Sequence, residues 1–149
     1  MAKVLAVCVS PKKGPKEPVE RAAALEGLGF RSDIHAGDWH RQVSLLAQES
    51  VDRVLARGVR AGPGDFGENI LTLGVDLRSL RKGQRLRVGA VLLEVTQIGK
   101  ECHSPCVIAR KAGECVMPTD GIFTRILSGG DIAPGDVITL EEPFRSTPG

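Results

Sequence analysis

Residues 83–98 read GQRLRVGAVLLEVTQI, and this stretch decides the fold class. Residues 85–88 alternate polar and apolar side chains, Gly89 supplies a turn, and residues 91–98 form a largely apolar run. This pattern predicts two short strands joined by a tight turn. A glycine turn that leads into an alternating segment recurs at residues 135–140, GDVITL. Several short strands between glycine turns favour a closed or sandwiched, mainly β fold over a parallel sheet with crossover helices.

Outward from this hairpin, the sequence predicts further strands and one long helix. Residues 3–9, KVLAVCV, are rich in Val and predict a strand buried on both faces. Residues 48–57 carry apolar side chains at helical spacing and are followed by Gly58, a helix stop signal. Residues 11–18 hold three prolines and predict an exposed loop with solubilising lysines. The other expected elements are a strand at 42–46, a loop at 62–69, a strand at 70–72, a short helix at 121–127 and a strand at 137–140.

Residues 19–28 carry conflicting local signals. Their Glu, Arg, Ala and Leu residues are good helix formers, and Pro18 suits the first turn of a helix. Gly27 and Gly29 would end such a helix early. Beyond them, apolar and polar residues alternate over residues 30–34, as in a strand. Local propensity therefore predicts a short helix followed by an extended segment.

Length and composition exclude several classes of protein. The 149 residues are enough for one ordinary domain with its own core. A hydrophobic content of 42% with 26% charged residues excludes a disordered chain. The 20 basic and 18 acidic residues nearly balance, and one Trp without Tyr offers few stacking platforms, so we expect no nucleic-acid partner. The basic cluster at residues 78–87 is interpreted as a solvated face.

No segment approaches the roughly 18 consecutive apolar residues of a membrane-spanning helix. The N-terminus also lacks the order of charge, apolar run and cleavage site of a signal peptide. We therefore expect a cytoplasmic protein without a membrane partner, whose four cysteines are thiols. Cys8 lies inside the strand predicted at residues 3–9 and is expected to be a small core residue.

The densest reactive cluster in the sequence follows the strand predicted at residues 91–98. It contains Cys102, His103 and Cys106, with Cys115 nine residues further on. Three thiols and an imidazole could form a Cys3His zinc site, although the spacing lacks the paired C-x2-C knuckles. Alternatively, one thiolate could be a nucleophile or sulfur carrier activated by Lys100 and His103, or could bind a soft transition metal together with a cofactor. Unreactive loop thiols are the remaining alternative.

Other polar groups suited to ligand binding lie in two loops and one later segment. Asp38, His40 and Arg41 are close in sequence. The glycines at 62, 64 and 67 would let backbone amides approach a ligand, and Glu68 and Asn69 could recognise a heterocycle. The alternative is a glycine-stabilised loop in which Asn69 caps a turn. Arg125 could clamp a phosphate, or could simply be a surface residue on a short helix.

These segments together resemble a known family. In order along the chain they are Gly37-Asp38-Trp39-His40, Arg41-Gln42-Val43-Ser44-Leu45-Leu46, Gly64-Asp65-Phe66-Gly67-Glu68-Asn69-Ile70, Val88-Gly89, Cys102-His103-Ser104-Pro105-Cys106, Gly121-Ile122-Phe123-Thr124-Arg125-Ile126 and Gly135-Asp136. This series resembles the MOSC domain family, named for the C-terminal region of molybdenum cofactor sulfurase. The small stand-alone proteins associated with molybdopterin biosynthesis modules are the most similar subgroup.

The resemblance implies a single domain with a core at about residues 2–141 and a tail at 142–149. Its fold would be a closed, β-barrel-like mixed β fold with short helices, related to the pyruvate kinase barrel domain. In this fold residues 19–28 are at least partly extended, against their helix propensity. The resemblance also implies binding of the molybdenum cofactor, which is molybdopterin carrying Mo or W.

The resemblance further assigns roles to individual residues. Cys106 matches the key cysteine of the family, so it would be the catalytic residue and the metal ligand, with Cys102 and Cys115 as additional candidate ligands. The cofactor needs cations at its phosphate, hydrogen bonds along the pterin and a soft donor at the metal. The other residues assigned are Arg41 and Arg125 at the phosphate, Glu68 and Asn69 at the pterin, the backbone of Gly67 near the cofactor, and His40, His103 and Cys102 around the metal.

The leading hypothesis from the sequence is a cofactor-binding protein that acts in cofactor handling or sulfur transfer through the Cys106 thiolate. The chain lacks a pyridoxal phosphate lysine motif, so sulfur would come from a donor or biosynthesis protein. One alternative is a Mo-dependent reductase of N-hydroxylated compounds, although such family members resemble longer chains with extra domains. A second alternative is a structural zinc domain.

Overall fold

The computed structural model describes residues 2–12, 15–99 and 120–141. Within them the chain is mainly β, with one α-helix and a short 3-10 helix at Leu77–Ser79. The helix is α1 (Gln48–Leu55). The strands are β1 (Lys3–Val9), β2 (Glu17–Val19), β3 (Ala22–Leu25), β4 (Gly29–Phe30), β5 (Val43–Ala47), β6 (Ile70–Leu73), β7 (Arg85–Val88), β8 (Val91–Ile98), β9 (Ile122–Ser128), β10 (Gly130–Ile132) and β11 (Ile138–Glu141).

The strands form two sheets. The larger has the order β11-β7-β8-β9-β5-β6-β1-β2, and the smaller has the order β10-β3-β4. Neighbouring strands are antiparallel except for β5 and β6. The expected closed barrel is not confirmed, because β2 and β11 stand at the two ends of the larger sheet. An isolated bridge between Lys3 and Val137 and a bond from the Val4 N–H to the Asp136 carbonyl (2.9 Å) bring β1 close to the start of β11.

The predicted hairpin at residues 83–98 is confirmed. β7 and β8 pair antiparallel with Val88 opposite Val91 across the turn at Gly89. β11 pairs with the other edge of β7, so the two similar segments of the sequence are neighbours in the sheet. The apolar side chains Leu86, Val88 and Leu93 are fully buried, as expected when one face of the hairpin covers the core.

The helix expected from the propensity of residues 19–28 is wrong, and the extended structure implied by the family resemblance is confirmed. β3 occupies the centre of this segment, with Ala22 and Ala24 buried on one face. It pairs with β10 on one edge and with β4 on the other. Because strand pairing and burial outweigh the small helix preference of alanine, the tertiary structure decides this segment. The strand pattern at residues 30–34 continues only to Phe30, since Ser32 has a φ of 66° in a turn.

The short helix expected at residues 121–127 is also wrong. Residues 122–127 lie within β9, which pairs with β8 on one side and with β5 on the other. Ile122 and Ile126 point into the main core, whereas Phe123 packs on the opposite face of the sheet. Residues 122–124 are buried on both faces of the strand, so the start of β9 gives no clear period-2 signal in sequence.

Two apolar clusters lie on opposite faces of the larger sheet. The main core fills the space between the two sheets and includes Phe30, Leu45 and Ile122. The second cluster packs α1, through Val51 and Val54, against the other face. Phe123 belongs to this second cluster, and Arg125, two residues on along β9, is exposed on the same face. No helix in the described ranges is long and apolar enough to cross a membrane.

We predict that Thr72→Val raises the free energy of unfolding by about 1 kcal/mol, because the buried Thr72 hydroxyl has no hydrogen-bond partner among the described residues. Thr124→Val is the matched control, since its buried hydroxyl donates to the Val43 carbonyl at 3.0 Å. This control should lose about 1–2 kcal/mol. Urea unfolding measures both changes. Equal losses in the two variants would show that the Thr72 hydroxyl has a partner in the folded protein.

Candidate functional site

An open cleft of about 500 Å³ lies on the sheet face that carries Arg125. It is formed by the turn after β3, the loop before β5, and strands β8 and β9. The cleft therefore lies between the small sheet and the large one. Its polar and aromatic lining includes Asp38, Trp39, His40, Gln42, Thr96 and Arg125.

Gln42 holds the cleft together at its base. Its side chain is buried, its Nε2 donates to the Gly27 carbonyl at 2.8 Å, and its Oε1 accepts from the Ile126 N–H at 2.9 Å. One amide thus connects the turn after β3 to β9. These two hydrogen bonds hold the walls of the cleft in position. Both polar atoms of the Gln42 amide therefore have a partner within the fold.

His40 and Arg41 converge on the side chain of Gln97 near the end of β8. The Gln97 Oε1 lies 3.0 Å from the His40 Nε2 and 3.0 Å from the Arg41 Nε. Thr96 adds a hydrogen bond from its Oγ1 to the His40 carbonyl. The sequence singled out His40 and Arg41 but missed Gln97, because a lone Gln in an apolar strand has no motif signal.

This group lies where the cysteine-bearing segment meets the sheet. The Gly99 N–H donates to the Gly121 carbonyl at 2.7 Å, so the end of β8 and the start of β9 lie side by side at the points where the described chain stops and resumes. The Gln97 Nε2 donates to the Gly99 carbonyl at 2.7 Å. The predicted site residues Cys102, His103, Cys106 and Cys115 all fall outside the described residues, and their assignments stay predictions.

The two arginines assigned to a phosphate differ in electrostatic environment. Arg125 pairs with Glu94, whose Oε1 lies 2.8 Å from an Arg125 terminal nitrogen. Arg41 is half-buried, and its guanidinium carbon lies 5.0 Å from the centre of the Phe123 ring. In the described part of the chain no carboxylate pairs with Arg41. Arg41 is therefore the stronger candidate for an anion, because its charge is not already neutralised.

Gly67, Glu68 and Asn69 lie away from this cleft. Glu68 is fully buried, and its carboxylate accepts hydrogen bonds from the backbone N–H groups of Gly64 (2.9 Å) and Phe66 (3.2 Å). Asn69 is fully buried as well. Burial raises the pKa of Glu68, and the two N–H donors oppose that rise.

Asn69 connects three strands of the larger sheet. Its Oδ1 accepts from the Ser44 N–H at 3.0 Å, and its Nδ2 donates to the Cys8 carbonyl at 3.0 Å. Ser44 lies on β5 and Cys8 on β1, while Asn69 itself precedes β6. Asn69 therefore bonds to two strands and not to a turn, and the structure does not bring Glu68 and Asn69 together with His40, Arg41 and Arg125.

Cys8 is a core residue, as the sequence predicted, with no exposed surface. Burial and the nearby Glu68 carboxylate raise the pKa of the Cys8 thiol to about 12. The thiolate is the reactive form of cysteine, so Cys8 is excluded as a nucleophile in the native protein.

We predict that Cys8 reacts with iodoacetamide at least ten-fold more slowly in the native protein than after unfolding, because it is buried and protonated. Mass spectrometry of the labelled peptides at pH 8 measures the rate. The variant Cys8→Ala should leave the native labelling of the other three cysteines unchanged. Rapid native labelling at Cys8 would contradict its placement in the core.

A buried ionic cluster that the sequence did not predict lies beside the cleft loop. Lys16, expected to be a solubilising loop residue, is instead buried with its Nζ 2.7 Å from the Asp33 Oδ1. Both side chains have no exposed surface. The Lys16 Nζ also lies 2.9 Å from the His35 Nδ1. Because an ammonium only donates, the His35 Nδ1 accepts and the His35 proton is on Nε2.

Trp39 connects this cluster to the cleft. Its indole Nε1 donates to the His35 carbonyl at 2.7 Å, and its ring stacks on the His35 ring with planes 7° apart. On its other side it meets the His40 ring edge-on. The indole remains 42% exposed in the cleft wall. The buried pair of Lys16 and Asp33 thus contacts His35, and His35, Trp39 and His40 follow one another along one loop.

The described residues contain no group of three or more His, Cys, Asp or Glu side chains arranged to hold a metal ion. Asp120 is buried and pairs with Arg53 at 3.0 Å. The zinc ligands that the sequence suggests, three thiols and one imidazole, all lie in residues 100–119, outside the described residues. The zinc alternative depends entirely on that segment.

Comparisons with known proteins agree on one family and one fold. A family model described as MOSC domain matches residues 31–139. The solved structure of the YuaD protein from Bacillus subtilis is similar, with a TM-score of 0.80 and 19% identity over 97% of this chain and 98% of that one. YiiM from Geobacillus stearothermophilus has a TM-score of 0.69 and 22% identity, covering 95% of this chain and 76% of YiiM.

YiiM from Escherichia coli has a TM-score of 0.65 and 16% identity, covering 97% of this chain and 71% of that one. No curated protein sequence matches the chain. At these identities the solved structures establish the fold alone. The family model spans the cleft-lining residues from Asp38 onward and both strands that flank residues 100–119.

Proposed function

Because the chain belongs to the MOSC domain family, which is generally linked to molybdenum cofactor binding, we propose that it binds a molybdenum or tungsten cofactor in this cleft. We further propose that it acts in handling this cofactor or in sulfur transfer. Sulfur would come from a donor protein or a cofactor biosynthesis protein. The Cys106 thiolate would be the metal ligand or the sulfur carrier.

Arg41 is the single observation that supports this proposal most strongly. Its guanidinium is half-buried, stacked over Phe123 and held through Nε by Gln97, and no carboxylate among the described residues neutralises it. A cation that is fixed in place and unpaired is suited to a phosphate group, because the terminal N–H groups remain available as charge-assisted donors. The cofactor carries such a phosphate at one end.

The residues present fit the cofactor in part. Arg41 would hold the phosphate, and Arg125 would contribute less because Glu94 already offsets its charge. The carboxylate of Glu68 and the amide of Asn69 are used within the fold, so their role would be to shape the loop. His40 would supply a hydrogen bond at the wall of the cleft. When bound, the cofactor would supply a redox-active metal that accepts a soft thiolate donor.

The groups of the chain in the described cleft would bind and orient the cofactor. Gln42 and Thr96 hold the loop before β5 against β8 and β9, which keeps His40 and Arg41 in place. The indole of Trp39 forms part of one wall of the cleft and would offer an apolar surface to the ligand. The thiolate at Cys106 would need a lowered pKa, and the sequence places Lys100 and His103 nearby.

Metal analysis and pterin detection test the proposed function. Protein purified without oxygen from a host that makes the cofactor should contain Mo or W together with pterin fluorescence. Arg41→Ala should lower cofactor occupancy by about 10-fold or more, because it removes a charge-assisted contact. Arg87→Ala, which changes an exposed arginine paired with Glu141, is the matched control and should leave occupancy unchanged.

Persistent absence of Mo, W and pterin from such preparations would overturn the proposal. Stoichiometric zinc, with a large loss of stability on chelation, would instead identify the structural zinc domain. Reduction of an N-hydroxylated compound by a chemical electron donor, lost in Cys106→Ala, would identify the reductase among cofactor-binding functions.

A further inference from the structure

Gln97 has only one amide orientation that fits its surroundings. Its Nε2 lies 2.7 Å from the Gly99 carbonyl, which can only accept a hydrogen bond. Its Oε1 lies 3.0 Å from the Arg41 Nε, which can only donate. If the amide were flipped, its oxygen would face the Gly99 carbonyl oxygen and its NH2 group would face the Arg41 Nε–H. The Gln97 oxygen therefore faces His40 and Arg41.

This orientation determines the tautomer of His40. The Gln97 Oε1 lies 3.0 Å from the His40 Nε2, and an amide oxygen can only accept. The proton of the neutral imidazole is therefore on Nε2. The Nδ1 atom keeps its lone pair, and no described residue is bonded to it. The ring is held in place by the Thr96 bond to the His40 carbonyl and by edge-on contact with Trp39.

Gln97 fixes the neighbouring cation through the same oxygen atom. The bond from the Arg41 Nε and the Phe123 ring under the guanidinium together restrict the side chain. The terminal nitrogens of Arg41 have no described partner. One amide oxygen thus contacts both a guanidinium and an imidazole, and among the described residues the terminal nitrogens of the one and the Nδ1 of the other have no partner.

We propose that Gln97 is a positioning residue, which prepares His40 and Arg41 to bind an oxyanion that still carries one proton, such as a hydrogen phosphate group. The anionic oxygens accept from the Arg41 terminal N–H groups, and the remaining P–OH donates to the His40 Nδ1. The identification of this anion with the end of a cofactor rests on the proposed function. The tautomer and the preference for a protonated oxyanion do not depend on the proposed function.

The tautomer can be measured without any cofactor. The chain has three histidines, and ¹⁵N-edited NMR of their rings at alkaline pH distinguishes a protonated Nε2 from a protonated Nδ1. We expect the His40 ring, assigned by its absence in His40→Gln, to be protonated at Nε2. In Gln97→Leu the ring should show both tautomers. Gln97→Glu retains an accepting oxygen and should restore protonation at Nε2.

Binding is tested with inorganic phosphate as the probe. Titration of the wild-type protein should shift the His40 Nδ1 resonance, and Gln97→Leu should weaken phosphate binding by about 10-fold, because Arg41 and His40 lose their common anchor. Gln84→Leu is the matched control, since the side chain of this half-buried glutamine bonds to the Glu141 carbonyl and not to His40 or Arg41. It should leave both the tautomer and phosphate binding unchanged.

A His40 ring protonated at Nδ1 in the wild-type protein would overturn the inference, as would equal phosphate binding by wild type and Gln97→Leu. These outcomes are separate from failure of the proposed function. The purified protein could contain no Mo, W or pterin and still show the expected tautomer and phosphate response. This result would refute the proposal of cofactor binding and support the role of Gln97.

Discussion

Asp33→Ala is expected to lower the free energy of unfolding by about 3–5 kcal/mol, because it leaves the Lys16 ammonium buried without its partner. The Asp33 carboxylate accepts from the Lys16 Nζ (2.7 Å), the Ser10 N–H (3.0 Å) and the His35 N–H (3.2 Å). Three segments lose a common acceptor when it is removed. Urea unfolding of the variant and wild type measures the loss.

The double variant Lys16→Met, Asp33→Leu is the control for this prediction. It removes both charges and fills the space with apolar side chains, so it should recover much of the loss seen in Asp33→Ala. If the double variant is at least as unstable as Asp33→Ala, the cost comes from the lost acceptor for the Ser10 and His35 N–H groups and not from the unpaired charge. Trp39 fluorescence in each variant reports whether the cleft loop keeps its position, since this is the only tryptophan.

The same carboxylate makes stability depend on pH. Burial acts to raise the pKa of Asp33, but hydrogen bonds with His35 and Lys16 outweigh it and hold the pKa well below its usual value. A folded-state pKa below the unfolded-state value means that the contribution is complete above the unfolded pKa of about 3.9. It is lost as pH falls below that value toward the folded pKa. Asp33→Ala should therefore have a flatter stability curve below about pH 4 than wild type.

Gly64→Ala is expected to cost about 3–5 kcal/mol, because it combines backbone strain with a steric clash. Gly64 has a φ of +88°, in the left-handed region that favours glycine. A Cβ there would overlap the carbonyl oxygen of Lys16 and lie 2.7 Å from its carbonyl carbon. The backbone cannot move away easily, since the Lys16 N–H bonds to the Gly64 carbonyl at 2.8 Å.

Gly58→Ala separates the two contributions. Gly58 has the same φ of +88°, but a Cβ there would meet nothing within 4 Å. Its cost should be that of backbone strain alone, about 1–2 kcal/mol. Thermal and urea unfolding of both variants compare the losses. Equal losses at the two glycines would mean that the contact between Gly64 and Lys16 is looser than the structure shows.

Much of the candidate site could not be predicted from the sequence, for identifiable physical reasons. His40, Arg41 and Arg125 were predicted, since charged residues in motif positions are visible in a sequence. The structure places His40 and Arg125 in the lining of the cleft and bonds Arg41 to Gln97, which also contacts His40. Glu68 and Asn69 were expected to face a ligand. Their polar groups instead satisfy backbone N–H and carbonyl groups of neighbouring strands, and such partners are set by the sheet register.

The sequence by itself determined the mainly β class, the hairpin at residues 83–98, helix α1, the core position of Cys8 and membership of the family. These features depend on periodicity, on glycine stop signals and on an ordered series of short motifs, all of which are local. They survive in the folded protein because the local preference and the tertiary environment agree.

Only the tertiary structure decided that residues 22–25 and 122–128 are strands, that Lys16 is buried against Asp33, and that Gln97 holds His40 and Arg41. Helix propensities of most residues differ by less than about 1 kcal/mol per residue. The stabilisation gained when a strand pairs along both of its edges is larger than that difference. The buried ion pair of Lys16 and Asp33 joins residues that are 17 positions apart. The bond between Arg41 and Gln97 joins residues that are 56 positions apart. Such contacts exist only after the chain has folded, so no local pattern can show them.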